Sequence, residues 1–535
     1  MLHRSFVQSA VLSVACFCAA WGQTPAQPKA VSPQPVLSPN VKRALAAINP
    51  NELKGDLSFI ASDTLQGRFT PSPGLDAAAE FIASKFRAAG LKPGGDKDYF
   101  QTATLIERHL GTVDSVTLRD GSKEAVVGPG DMALFEASVA VRVDHAPALI
   151  FPRRDLDALK KADLAGKAVV VQQPDFAKLS QTEAVSTYHA MRAFDDAVAA
   201  SHAALELVVT SSKPEPVPNK LLLGQDAAWR AVPIIRADSP ELKAWLKQPE
   251  GGDSRSVTVD IPGPGDHKVV AKNVIGILPG SDPKLKDTCV MLTAHYDHIG
   301  TRETGHGMAS PPKPQDKNDN IYNGANDDGS GTVSVIEIAR ALATLNPRPK
   351  RSVVFMTFFG EERGEFGSRY YGRHPVFPIA KTVADINLEQ VGRTDSTNGR
   401  QINTASLTGY DYSEVTGYLE RAGKLIGVKV YKDPEASDAY FTRSDNDALA
   451  QQGVPAHSLT VAFDYPDYHG LGDEWQKIDY DNMARVDRMI ALGLINMANN
   501  QRAPAWNAAN PKTAPFIKAQ EKSRSTPDAG EHPAP

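Results

Sequence analysis

The sequence predicts an α/β protein: a mostly parallel central sheet covered by helices on both faces, with a smaller α+β domain inserted into it. Three observations carry that prediction. Apolar runs of strand length occur at residues 273–278, 288–294, 352–359, 384–388 and 456–462. Each run is nearly continuous rather than alternating, as a strand buried on both faces requires. Amphipathic stretches such as residues 333–345 lie between several of them, the alternation that builds a layered sheet.

The chain has 535 residues, room for about three domains at ~150 residues each. Hydrophobic residues make up 41% and charged residues 23%, which excludes a globally disordered chain. The net charge of −5 comes without a long basic run, so nucleic acid is not an expected partner.

In chain order, residues 1–22 read as a signal peptide: a short positive start, an apolar stretch over 6–20, and small residues around Ala20-Trp21-Gly22. Export to a periplasm or the medium is therefore expected. Cys16 and Cys18 lie in that segment, so its removal leaves Cys289 alone and excludes a disulfide scaffold or thiolate metal site. Residues 23–44, rich in Pro, Ser, Gln and Ala, read as a linker. No later apolar run reaches ~18 residues, so no membrane span is expected after signal removal.

A discontinuous main domain is expected over 45–112 and 266–501. Its first part holds a helix over 75–89, where Ala78, Ile82 and Phe86 recur at spacing four before Gly90 and Pro93. Residues 113–265 form the inserted domain, with short strands near 115–118, 168–171, 207–209 and 232–235. Gly251-Gly252 and Pro262-Gly263-Pro264-Gly265 punctuate its end. Residues 502–535 are polar and Pro/Ala-rich and are expected to be a disordered tail.

The chemistry follows the strands. His295-Tyr296-Asp297-His298 comes after the second, Glu361-Glu362 after the third, Glu389 after the fourth, and Asp467-Tyr468-His469 after the fifth. Asn326-Asp327-Asp328 precedes the helix at 333–345. In open α/β sheets ligands bind beyond the carboxyl ends of the strands. Singly, each motif has a plainer reading: Asp327-Asp328 as a helix cap, Glu361-Glu362 as a solvated pair, His469 as a surface residue, and His298 as structural. Together, imidazoles and carboxylates without thiolate suit catalytic zinc. Two histidines and three carboxylates exceed one catalytic zinc and fit two that share a carboxylate. Adjacent glutamates allow one to ligate and its neighbour to act as general base.

The segments Asn273-Val274-Ile275-Gly276, Ala294-His295-Tyr296-Asp297-His298, Gly324-Ala325-Asn326-Asp327-Asp328-Gly329, Phe359-Gly360-Glu361-Glu362, Asn387-Leu388-Glu389 and Tyr468-His469 carry a resemblance, joined by Gly67-Arg68 and Tyr99-Phe100-Gln101. Over about residues 45–500 the sequence resembles the secreted di-zinc aminopeptidases of the bacterial leucyl-aminopeptidase type, relatives of glutamate carboxypeptidase II, glutaminyl cyclase and the transferrin receptor. The resemblance implies two zinc ions per chain. His295 and Glu389 would hold one, Glu362 and His469 the other, and Asp327 would bridge them. Asp297 would orient His295, Glu361 would be the general base, and Tyr468 would hydrogen-bond the oxyanion.

The implied activity is a metallo-aminopeptidase acting on peptides or small proteins with a free N-terminus. Two alternatives stand beside it. One is a glutamate-carboxypeptidase-like exopeptidase, for which Arg363, Arg393 and Arg443 would have to bind carboxylates. The other is a catalytically silent receptor or binding protein on the same fold. Two departures from the family pattern are Glu389, where Asp is usual, and the long segment 301–322 between His295 and Asp327. Asp163-Leu164-Ala165-Gly166-Lys167 and Val232-Pro233-Ile234-Ile235 give residues 113–265 a likeness to protease-associated domains.

Overall fold

The computed structural model describes residues 37–525, apart from 180, 216–219, 225–231, 248–253, 306–307 and 398. The expected signal peptide, most of the linker, Gly251-Gly252 and the last residues of the tail lie outside the described residues.

Nine strands of the main sheet are numbered here in chain order: β1 (Phe100–His109), β2 (Lys220–Leu223), β3 (Gly265–Leu278), β4 (Cys289–His295), β5 (Ser352–Phe358), β6 (Thr382–Leu388), β7 (Thr404–Leu407), β8 (Lys429–Tyr431) and β9 (Ala456–Thr460). They lie in the order β8-β7-β9-β6-β4-β5-β3-β1-β2, with Lys92–Pro93 added beside β3. The centre is parallel: β4 pairs with β5 and β6, and β6 with β9. The β3 side is antiparallel throughout, and β7 is antiparallel to β9. The sheet is therefore a mixed one built around four parallel strands.

Every residue of β4, β5, β6 and β9 is buried, which is why apolar residues dominate β4 and β5 and the polar side chains of β6 and β9 are buried with them. On one face Ile275, Met291, Val354 and Met356 pack with Tyr371, Leu449 and Phe516 from helices Phe366–Arg373, Asn446–Ala450 and Ala514–Ser525. Helices Pro73–Ala88, Gly331–Ala343 and Tyr480–Asn499 pack against strands of the same sheet. Gly276 faces Phe86 so closely that a Cβ there would lie 2.9 Å from the ring.

Residues 116–261 supply a second sheet of eight strands, in the order Lys123–Val127, Val116–Asp120, Arg255–Ile261, Val141–Phe151, Ala168–Gln172, Leu205–Val209, Ile234–Ala237, Met132–Glu136. Leu118, Val170, Leu207 and Val257 fill one side of it. Val169, Val171 and Val208 meet Phe194 and Val198 of helix Gln181–Ala199 on another. Strand β2 departs from this region to pair with β1 of the main sheet.

Two boundary expectations are corrected. Helix Pro39–Ala47 begins inside the stretch read as a linker, and its Ala44 and Leu45 are buried. The tail is ordered to Ser525. Trp506 and Phe516 stack at 5.1 Å between centroids, Phe516 meets Phe441 at 5.3 Å, and the Trp506 indole donates to Gly453 O. Two aromatic anchors suffice to dock a stretch whose average composition is polar.

Trp506→Ala should therefore destabilise the chain by ~3–5 kcal/mol, the cost of emptying a buried indole site; a urea denaturation midpoint at the wild-type value would refute the docked tail. A second test uses Asp487, buried in helix Tyr480–Asn499. Burial lifts its pKa from 3.8 to about 8, with Ser334 and Arg488 opposing and Glu337 adding. The folded chain keeps a proton that the unfolded chain loses. The stability it contributes is full below about pH 4 and is lost as pH rises through about 8. Asp487→Asn should raise Tm at pH 8 and leave it near wild type at pH 4, as read by calorimetry; equal shifts at both pH values would count against it.

Candidate metal centre

The parallel strands deliver the predicted residues to one edge. His295 is the last residue of β4, Glu389 follows the end of β6, Glu361 and Glu362 follow β5, and Tyr468 and His469 sit in the loop after β9. Asp327 and Asp328 precede helix Gly331–Ala343. These positions converge because neighbouring parallel strands end at the same level.

Asp327 lies between two imidazoles. Its Oδ1 is 3.4 Å from His295 Nε2, and its Oδ2 is 3.2 Å from His469 Nε2. His295 Nε2 is also 3.7 Å from Glu389 Oε2 and 3.9 Å from Glu361 Oε2. His469 Nε2 is 3.2 Å from Glu362 Oε2. The structure thus brings all five expected ligands and Glu361 together. Tyr468 stacks on His469 with centroids 4.1 Å apart.

Asp297 sits against His295 and also reaches the backbone of Glu361. The His295 Nδ1 contact within hydrogen-bond range is to the Asp297 carbonyl, at 3.2 Å, while the carboxylate Oδ1 is 3.6 Å away. That carboxylate instead accepts the Glu361 N–H at 3.1 Å and the Thr70 hydroxyl at 3.2 Å. It fixes the backbone that carries Glu361.

The charges are mutually dependent. Burial disfavours a charged His295, but Glu389, Asp297 and Asp327 outweigh it and lift its pKa well above the ordinary value. His469 is pushed up to about 12, because Glu362 and Asp327 overcome its burial. Glu362 falls to about 2 against the pull of burial, chiefly through His469. Burial, reinforced by Glu389 and Glu362, holds Glu361 well above the carboxylate range, against the opposing pull of His295. A cation entering here would displace protons from the imidazoles.

A backbone frame holds the loops. The Arg68 guanidinium is fully buried and donates to the carbonyls of Tyr296, Ile60, Asn323 and Gly324. Asp473 accepts the N–H groups of Asn326 and Asp327. Asn326 Oδ1 accepts from Gly392 and Arg393, just beyond Glu389.

Sequence reasoning missed several members. His298, read as structural, is buried with Nδ1 2.8 Å from Glu362 Oε1. Donor atoms of His298, Asp327 and Glu362 lie within 4.8 Å of one another, as do those of His295, Asp328 and Glu389. Asp328 spends Oδ1 on the N–H groups of Gly331 and Gln390 and leaves Oδ2 without a hydrogen-bond partner. Ser444 donates to Glu389 Oε1. The second histidine of His-Tyr-Asp-His was a readable signal; Ser444, 55 residues from Glu389, was not. Of the arginines a carboxypeptidase would need, Arg393 is buried and spent on Asp395 and Asp467. Arg443 stacks on Tyr440 and Arg363 on Phe69.

Comparisons with known proteins fit this geometry. The chain is 29% identical over 196 residues to the vacuolar membrane protease of Sclerotinia sclerotiorum, covering 36% of this chain and 15% of that protein. It is 30% identical over 203 residues to the vacuolar membrane protease of Talaromyces marneffei, covering 37% and 17%. The matches thus span less than a fifth of these relatives' length. Their name corrects one expectation: it points to a vacuole for these relatives, rather than to a periplasm or the medium. Among the described residues no helix is long and apolar enough to cross a membrane. The fold matches that of the aminopeptidase from Aneurinibacillus sp. strain AM-1, with a TM-score of 0.52 at 17% identity over 87% of this chain and 97% of that one. The family model for Peptidase family M28 matches residues 273–493, the segment that runs from β3 through all five expected metal ligands. Residues 273–493 are a Peptidase family M28 domain.

Proposed function

We propose that this chain is a zinc-dependent aminopeptidase that removes N-terminal residues from peptides, with two zinc ions at the edge of its parallel strands. The observation that carries the reading is Asp327, whose two oxygens each face a different imidazole. Ligand atoms on a tetrahedral zinc at ~2.0–2.1 Å stand about 3.3 Å apart. The separations of 3.2–3.7 Å among His295, Asp327, Glu389, Glu362 and His469 support that fit. His295 and Glu389 would hold one ion and Glu362 and His469 the other, with Asp327 placed to serve both. His298 Nδ1 lies 2.8 Å from Glu362 Oε1 and adds a third imidazole beside these ligands.

Bound zinc supplies Lewis acidity toward the scissile carbonyl and lowers the pKa of a water. The remaining steps belong to the chain. Glu361, kept basic by burial and neighbouring carboxylates, takes the water proton at its carboxylate and passes it to the leaving amine. Its backbone is fixed by Asp297. Burial, with Asp327 and Glu362, holds the Tyr468 phenol well above its ordinary pKa, so it stays a proton donor for the developing oxyanion. Residues 113–265 are proposed to be a protease-associated domain.

Glu361→Gln should lower hydrolysis of leucine-anilide by ~10²–10⁴-fold while zinc content stays at the wild-type level; loss of zinc from this variant would move Glu361 from base to ligand. Metal analysis of the purified chain should find two zinc ions. Chelation should abolish hydrolysis and zinc should restore it. Cleavage confined to N-capped peptides would replace the aminopeptidase by the carboxypeptidase reading.

A further inference from the structure

Within the segment 301–322, which separates His295 from Asp327 in sequence, residues 308–313 meet the loop of His469. The segment's ends are pinned together, because Gly300–Thr301 pairs antiparallel with Ile321–Tyr322. Between them, the Met308 carbonyl lies 2.9 Å from His469 Nδ1. The Ser310 N–H donates to His469 O at 2.8 Å and its hydroxyl to Tyr468 O at 2.7 Å. Lys313 Nζ donates to Pro466 O at 2.8 Å and to Asp467 Oδ1 at 2.5 Å. Met308 and Ala309 pack on a small core of Ile299, Tyr322 and Leu471.

Two consequences follow from elementary chemistry. A carbonyl only accepts, so His469 Nδ1 must carry the hydrogen, and in the neutral ring the lone pair is then on Nε2. That is the nitrogen 3.2 Å from both Asp327 Oδ2 and Glu362 Oε2. His469 also has φ of 51°, a left-handed conformation sparsely populated by non-glycine residues. Ser310 holds the carbonyls on both sides of that strained residue. His295 is oriented by other means, through Asp297 O on its ring and Thr332 on its carbonyl.

We propose that residues 308–313 form a strap that sets the tautomer and aim of His469 and so controls the affinity of one metal position and not the other. The proposal rests on the ligand reading above. Met308 and Ser310 act on the metal through His469 and are positioning residues.

The test is calorimetric titration of zinc into the full-length, metal-stripped chain. Thr301 stands opposite Ile321, so residues 302–320 can be replaced by Asn-Gly as a tight hairpin. In the shortened chain one zinc should bind as in wild type and the other should weaken ~10–100-fold, as loss of a ligand's supporting hydrogen bond does. Ser310→Ala should weaken the same position to a smaller degree, and Ser310→Thr, which keeps the hydroxyl donor, should restore it. Two zinc ions at wild-type affinity in the shortened chain, or equal weakening of both, would overturn the strap. Should the shortened chain fail to fold, the Ser310 pair decides: Ala and Thr variants that behave alike overturn it. A wild-type chain that takes up no zinc overturns the ligand reading itself, and the strap with it.

Discussion

A buried guanidinium holds the site's backbone together. Arg68 has no exposed surface, and its four hydrogen bonds go to carbonyls on three separate segments: Ile60, Tyr296, and the pair Asn323 and Gly324. The last two segments lead directly into His295-Asp297 and into Asp327. Burial lowers its pKa to about 10 even though Asp297, Asp473, Asp328 and Asp327 oppose the fall. It therefore stays charged at neutral pH. Lysine, a point charge without a planar fork, could not serve carbonyls on three segments at once. The turn that presents Arg68 has its own constraint. At Gly67 a Cβ would lie 2.3 Å from Gly300 O and 2.5 Å from Tyr322 O, so the turn packs where only glycine fits and lands on the base of segment 301–322.

The same frame explains why the site calls for cations. Asp297, Asp327, Asp328, Glu362, Glu389, Asp445 and Asp473 are buried or nearly so around three imidazoles, His295, His298 and His469, with Glu361 beside them. Burying this many carboxylates without compensation is prohibitive. Some of the deficit is relieved by protonation, since burial lifts Asp328 and Asp445 well above the carboxylate range. Some is relieved by backbone N–H groups, as at Asp473. Asp327 and Glu362 are the exceptions. Both are held below the ordinary range by imidazoles alone, and they are the two carboxylates whose oxygens face His469 Nε2. A divalent ion would take the place of protons those imidazoles now hold.

What was legible in the sequence was the part written in burial and in strand ends. Strands β4, β5, β6 and β9 are sealed on both faces, so their largely apolar runs announce both the sheet and the points where polar chemistry can begin. The antiparallel flank was not legible, because the hydrophobic pattern of β3 carries no sign of its direction. Trp506 and Phe516 went unread for a related reason: a composition average dilutes two aromatic anchors in a polar tail. Asp297 was placed beside His295, where its carboxylate and its carbonyl both face the ring, but its hold on the Glu361 N–H was not legible, since sequence spacing carries no sign of a backbone partner 64 residues away.

Glu389, where the resemblance leads one to expect aspartate, is reconciled by its surroundings. The extra methylene would let the carboxylate swing, and a ligand that swings is a poor one. Here Oε1 accepts from Ser444, with Asn387 Nδ2 at 3.5 Å. Asn387 Nδ2 in turn donates to Ser444 and Ser458, and Ser458 donates to Asn446. All four of these supporting side chains are buried. With one oxygen fixed by this network, the other is left facing His295 at 3.7 Å. The longer side chain and the Ser444 network thus work as one unit, in which neither half makes sense without the other.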